Sequence, residues 1–201
     1  MNPRVSRLAV VLAAACLVAC GGTTSHYDYS TEPDPTKLDF PIGVADALQI
    51  TVWNHQELST SAIVRPDGAI TMSLIGDLRV AGRTTVQLAG EIKQELSKFV
   101  HDEAAVVTVS ITAVNSYSFT VAGNVASPGL YKEQKYVTVA EAIAKAGGPN
   151  KYASPAGLVL IRKDRQTGKV RRIPIDYDDI RSDRRPEANL YVLPGDTVFL
   201  P

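Results

Sequence analysis

Asp67 and Asp77 are the first residues in this chain whose type and spacing suggest chemistry. Two nearby carboxylates can flank a glycosidic bond, one as proton donor and one as base or nucleophile. Each of these, however, sits beside glycine, in Pro66-Asp67-Gly68 and Gly76-Asp77, where Asp is a common backbone cap in turns. The run Asp176-Tyr177-Asp178-Asp179 could hold a cation, yet it lacks the ligand pattern of a calcium loop, and a solvated loop is the plainer reading. His26 falls in a polar stretch, and His55 and His101 fall at the ends of an expected strand and helix, none with metal-ligand spacing. There is no His-Glu-x-x-His, no Gly-x-Ser-x-Gly and no phosphate-binding glycine loop followed by Lys-Ser or Lys-Thr. No catalytic residue, metal site or cofactor is therefore expected. Trp53, the only tryptophan, could stack on a sugar, although its position on a strand favours packing.

Charge gives a softer signal. The chain balances 21 Lys and Arg against 21 Asp and Glu, which argues against a general nucleic-acid binder. Residues 162–185 depart from that balance, with nine basic side chains against five Asp. A basic hairpin there could meet an acidic glycan or an acidic neighbouring subunit, though an exposed hairpin kept soluble by charge accounts for it as well.

The start of the chain points to a compartment. Arg4 and Arg7 precede an uncharged apolar run over residues 8–18, which Leu17-Val18-Ala19-Cys20 closes. That is the layout of a secretory signal peptide. The run is shorter than the ~18 to 20 apolar residues needed to span a bilayer. Cysteine directly after Leu-Val-Ala resembles a bacterial lipobox, which implies that residues 1–19 are removed and that the Cys20 thiol is diacylated. Gly21 in place of Asp leaves no inner-membrane retention signal. Each buried lipid CH₂ contributes about 0.8 kcal/mol, so several chains would anchor the protein durably. Cys16 would leave with the signal, so the mature chain would have no disulfide, no Cys-ligated zinc and no cysteine nucleophile.

Residues 20–40 are polar, broken by Pro33 and Pro35, and read as a tether. Beyond them the patterns alternate between strand and helix. Leu48, Ile50 and Val52 share one face of a strand, and two further strands should flank the Pro66-Asp67-Gly68 turn, with a third over residues 78–80, as a small meander of successively paired strands leading into a helix. Thr84-x-x-Gln87 is a capping box opening a helix whose stripe is Leu88, Ile92, Leu96 and Phe99. Val107, Val109, Ile111 and Ala113 alternate inward. One α+β unit should thus cover residues 41–114. A second, over 115–201, contains the strand of Tyr117, Phe119 and Val121, a turn at Pro128-Gly129 and the capping box Thr138-x-x-Glu141. Hairpin strands Leu158–Lys163 and Val170–Ile175 follow, then a final turn and strand over 193–201.

As a string, residues 64–82 resemble the signature segment of the polysaccharide export family. Gly43-Val44-Ala45-Asp46 stands where that family has a Gly-x-Gly-Asp-like turn, with Ala45 in place of the second Gly. Val121-x-Gly123-x-Val125-x-x-Pro128-Gly129 and Ala146-Gly147-Gly148 resemble a soluble-ligand-binding β-grasp (SLBB) domain, which accompanies the export signature. The resemblance implies an α+β fold with an export domain followed by one SLBB-like domain. It further implies a non-enzymatic, lipid-anchored component at the outer membrane, facing the periplasm. Subunits would form a homo-oligomeric ring that conducts capsular or exopolysaccharide between an inner-membrane copolymerase and an outer-membrane exit. The larger relatives' pore-lining helix has no counterpart here, so a separate outer-membrane β-barrel is expected as partner. A monomeric sugar-binding lipoprotein acting as sensor or adaptor, and a periplasmic glycan-modifying enzyme, are the rival readings.

Overall fold

A computed structural model describes residues 27–100, 106–164 and 167–201. The signal segment, Cys16, Cys20, His26 and His101 lie outside the described residues.

The first unit is built on β1 (Ala47–Val52), the middle strand of a three-stranded antiparallel sheet. Its neighbours are β2 (Thr60–Ile63) and, later in the chain, β5 (Val107–Ala113). Between them lie β3 (Ala69–Met72) and β4 (Gly76–Arg79), paired as a separate two-stranded sheet, and then helix α1 (Thr85–Leu96). Period-2 alternation turns Leu48, Ile50 and Val52 inward, where they meet Leu88, Ile92 and Leu96 of α1. The capping box of α1 is complete, with Thr84 Oγ1 accepting from Gln87 N and Gln87 Oε1 accepting from Thr84 N. Two expectations are corrected. Phe99 does not extend the apolar stripe: α1 ends at Leu96, the chain turns, and Phe99 is 56% exposed. The strands flanking Pro66-Asp67-Gly68 are not partners, since β2 pairs with β1 while β3 pairs with β4. Backbone bonds of 2.9 Å join Val64 to Ala45 and Asp46, extending the edge of β2, and the chain leaves that sheet at Arg65.

The second unit holds β6 (Ser118–Gly123), β7 (Gly129–Lys132), α2 (Val139–Lys145), β8 (Leu158–Lys163), β9 (Val170–Ile175), a short α3 (Tyr177–Arg181) and β10 (Thr197–Leu200). The sheet order is β7-β6-β10-β8-β9, with β10 parallel to β6 and every other pair antiparallel. The hairpin boundaries of β8 and β9 are those the alternation predicts. Tyr117, Phe119 and Val121 pack with Val139, Ala142 and Ile143 of α2 in a fully buried core. The Tyr117 hydroxyl donates to Val192 O at 2.9 Å and accepts from Val137 N at 3.1 Å. Burial pushes its pKa up to about 12.

Residues 27–40 are not a free tether. They form two 3-10 turns, Tyr29–Thr31 and Pro35–Lys37, capped by the side chains of Asp28 and Asp34. Tyr29 is buried in the core of the second unit and donates to Pro174 O at 2.8 Å, and Phe40 packs against Tyr136. The chain therefore runs along the second unit, builds the first, and returns. Polar composition with two prolines masked three aromatic anchors, Tyr27, Tyr29 and Phe40, which the second unit covers.

Gly68 shows why the turn sequence is constrained. Its φ is +80°, and a Cβ there would stand 2.9 Å from the Ala81 Cβ. Gly68→Val should cost about 1 to 3 kcal/mol through backbone strain, read as a lower midpoint in urea denaturation. Gly76 has the same φ with open space around it, so Gly76→Val should cost less.

Candidate functional site

Two buried charged centres organise the molecule, and neither includes the carboxylate pair that sequence suggested. Asp46, at the end of the turn before β1, is fully buried. Its Oδ1 accepts from the backbone N–H groups of Asn115 and Ser116, both at 2.8 Å. Its Oδ2 accepts from Gly43 N at 2.8 Å and from the Ser116 hydroxyl at 2.9 Å. One carboxylate thus closes its own turn and holds the segment that leads from the first unit into the second. Close approach is built in, because a Cβ on Gly43 would fall 2.2 Å from the Ser116 Cβ. Ala45 adopts φ +72°, the conformation that glycine would take at that point, so the turn survives the substitution at a cost of roughly 1 to 2 kcal/mol.

The second centre is Arg162 on β8, only 4% exposed. Its Nε and Nη2 donate to Asp196 Oδ2 at 3.0 and 2.7 Å, Nη2 also donates to Tyr191 O at 2.8 Å, and Nη1 donates to Glu32 at 2.7 Å. Glu32 is further paired to Arg171 at 2.7 Å and accepts from the Tyr27 hydroxyl. Burial would raise the Glu32 carboxyl, but hydrogen bonds from Tyr27 and Arg171, and the charges of Arg162 and Arg171, hold it below its ordinary value. Asp196 is the deeper partner: burial pushes its carboxyl up, against the opposing bonds and charge of Arg162. This clasp fixes residues 27–40 to the second unit and borders a cleft of about 370 Å³ walled by Pro33, Pro35, Leu38 and Leu193. The signal for it was present: alternation along Leu158-Val159-Leu160-Ile161-Arg162 places Arg162 on the buried face of β8.

The other candidates resolve into structural roles. Asp67 and Asp77 are brought together by Arg65, which pairs with Asp67 and reaches Asp77 at 2.9 Å. Hydrogen bonding from Arg65 holds Asp67 below the usual carboxylate range, and bonds from Thr71 and then Arg65 do the same for Asp77. A glycosidase needs one of its carboxyls kept protonated near neutral pH, and here both are driven toward the ionised form. Asp176 caps α3 by accepting from Asp178 N and Asp179 N, while Asp178 pairs with Arg181 and Asp179 with Arg184. The acidic run is thus a helix start with flanking ion pairs. No group of three His, Cys, Asp or Glu poised for a metal occurs among the described residues. His55 lies just beyond β1, with Nδ1 3.1 Å from Glu57. Within residues 162–185, Lys163, Lys169 and Arg172 face solvent, whereas Arg162 is committed to the clasp. Trp53 is a correction: it does not pack inward but stands 64% exposed, since alternation with buried Val52 turns it to the outer face.

Comparison with known proteins accords with this architecture. The family described as polysaccharide biosynthesis/export protein matches residues 34–112, and the SLBB domain matches residues 118–174. The chain carries a polysaccharide biosynthesis/export domain followed by an SLBB domain. It is 28% identical over 173 residues to the EPS I polysaccharide export outer membrane protein EpsA of Ralstonia nicotianae, covering 74% of this chain and 45% of that protein. The same-named protein of Ralstonia solanacearum is 30% identical over 135 residues, covering 55% of this chain and 35% of its own length. The exopolysaccharide production protein ExoF of Rhizobium meliloti is 26% identical over 155 residues, covering 71% and 33%. The chain spans a third to just under half of the length of these relatives. The export-domain match begins inside the strap that packs on the second unit, and the SLBB match begins at the first residue of β6, just past the Asp46 junction.

Asp46→Ala would strand buried N–H groups of Gly43, Asn115 and Ser116, and should cost about 3 kcal/mol or more, measured by chemical denaturation. Asp46→Asn keeps an acceptor oxygen and should cost less. The clasp predicts a pH dependence. Because the Glu32 pKa is lowered on folding, its stabilising contribution is complete above the ordinary carboxylate range and is lost as pH falls through the lowered value. Hydrogen exchange of residues 27–40 should accelerate over that acid window, and Glu32→Gln should make exchange fast at neutral pH as well.

Proposed function

We propose that this chain is a lipid-anchored component of an exopolysaccharide export machine. In this reading it is a ring-forming element at the outer membrane, with both folded units in the periplasm. The observation that carries the proposal is the pairing of an export domain with an SLBB domain in one chain. The coupling of the two through Asp46 supports it, because a conduit built from repeated subunits needs each subunit to hold its domains in register. Relatives that align over 74% and 71% of this chain are named for polysaccharide export and exopolysaccharide production.

Cys20 is the proposed acylation site, with residues 1–19 removed as its signal. The clasp between Glu32 and Arg162 lies twelve residues beyond it, so lipid and folded body would be joined by a short segment only. Subunits would associate side by side around the polymer's axis, between an inner-membrane copolymerase and an exit formed by a separate outer-membrane β-barrel. The polymer would pass without covalent change, and the ion-paired Asp67 and Asp77 suit that role. No described helix is long and apolar enough to cross a membrane.

Two experiments test the proposal. Cys20→Ser should abolish labelling by a fatty-acid analogue, release the protein from the membrane fraction and lower secretion. Equal labelling of the variant and the parent would remove the lipid anchor. Native mass spectrometry of the detergent-extracted protein should show a closed homo-oligomer, and a strict monomer that binds oligosaccharide would favour a sensor instead.

A further inference from the structure

The outer face of the first unit's sheet differs from the rest of the surface. Residues of β1, β2 and β5 that turn away from the core are Ala47, Gln49, Thr51, Ser61, Ile63, Thr108, Ser110 and Thr112. None is ionisable, in a chain where 21% of residues are charged, and all but Ala47 and the exposed Ile63 bear a hydroxyl or amide group. Cross-strand register sets Thr51 opposite Thr108 and Gln49 opposite Ser110, so the groups form ordered rows. At one end of these rows stands Trp53, whose backbone N–H bonds Val106 O at 2.9 Å. Trp53 and Val106 are 64% and 56% exposed. With Thr51 and Thr108 they line a shallow depression of about 210 Å³.

We propose that this depression is a contact site for neutral saccharide, with Trp53 as the stacking platform. This rests on the export reading above and names the class of glycan that the first unit meets. The apolar C–H face of a pyranose matches the face of an indole, and the neighbouring threonine hydroxyls can exchange hydrogen bonds with the ring's own hydroxyls. Charge complementarity selects the ligand: a face with no ionisable side chain gives an acidic polymer no cation to pair with, and gives a neutral polyol hydroxyl and amide partners beside an apolar platform. A single ring with weak polar neighbours also suits a polymer in transit, which must bind readily and leave readily.

Trp53 is the only tryptophan, so tryptophan emission, excited selectively over the tyrosines, reports on this site alone. The full-length protein is titrated with maltoheptaose and dextran oligosaccharides as neutral probes and with oligogalacturonate as an acidic one. The neutral probes should shift the emission saturably, and oligogalacturonate should bind no more tightly. By calorimetry, Trp53→Ala should weaken neutral binding about tenfold or more, while Trp53→Phe should retain most of it. Unchanged emission across the neutral probes, or unchanged affinity in Trp53→Ala, would overturn the site. So would dissociation of the oligomer by Trp53→Ala, which would make the face a subunit contact. A chain whose deletion stops secretion while Trp53→Ala binds and secretes normally keeps its export role and loses this site. Normal secretion after deletion would instead overturn the export reading itself.

Discussion

A guanidinium buried on the inner face of a sheet cannot shed its charge, and the architecture of the second unit follows from neutralising Arg162. Taking a cation out of water costs several kcal/mol unless it is paired and its donors are satisfied. One carboxylate, Asp196, comes from the turn that launches β10. A second, Glu32, comes from 130 residues earlier in the chain. A backbone carbonyl, Tyr191 O, takes a further donor. The strand at the centre of the sheet, the turn before it and the strap from the N-terminal side are thus required to converge on one side chain. Aromatic packing by Tyr29 and Phe40 then adds apolar burial to a contact that charge has already specified.

Asp46 answers a related need by a different route. It has no cationic partner among its hydrogen bonds; four donors, three of them backbone N–H groups, surround it instead. Backbone donors are fixed in direction, so a carboxylate that needs all four of them specifies the path of residues 115 and 116 closely. The two centres are alike in sequence position, since each Asp closes a turn with a positive-φ residue before it, Ala45 or Gly195, and opens a strand. In one case the carboxylate joins the two units, and in the other it ties β8 to the turn before β10. Contacts of this kind set the orientation of the parts they join, because hydrophobic burial alone is indifferent to direction.

Much of this was legible in the residues. Capping boxes at Thr84 and Thr138, the β8–β9 hairpin and the inward alternation of β1 and β5 are local signals, and the structure follows them. What escaped was long-range. Nothing local to Glu32 reveals that its partner is Arg162, and without that pair the segment reads as a polar tether. The partners of β2 and β3 were equally hidden, because a tight turn between two apolar runs is consistent with a hairpin until β1 and β4 compete for the same edges. Arg162 and Trp53 were different. The period-2 rule that placed Leu48, Ile50 and Val52 inward also turns Trp53 outward, and the rule that places Leu158 and Leu160 inward also buries Arg162. In both cases the residue type, an aromatic or a cation, outweighed a phase that was already known.

That phase has a functional consequence. A sheet whose inner face is packed on a core keeps its outer face open to solvent and ligands. Here the described outer face of β1, β2 and β5 bears no ionisable group, while charges gather on the turn at Arg65 and along β9. Asp67 and Asp77 are tied to Arg65, and Asp176, Asp178 and Asp179 to a helix start and its arginines. These acidic groups are thus committed to holding turns. That outer face offers hydroxyls, an amide, the exposed Ile63 and one indole, the groups that the proposed saccharide contact would use.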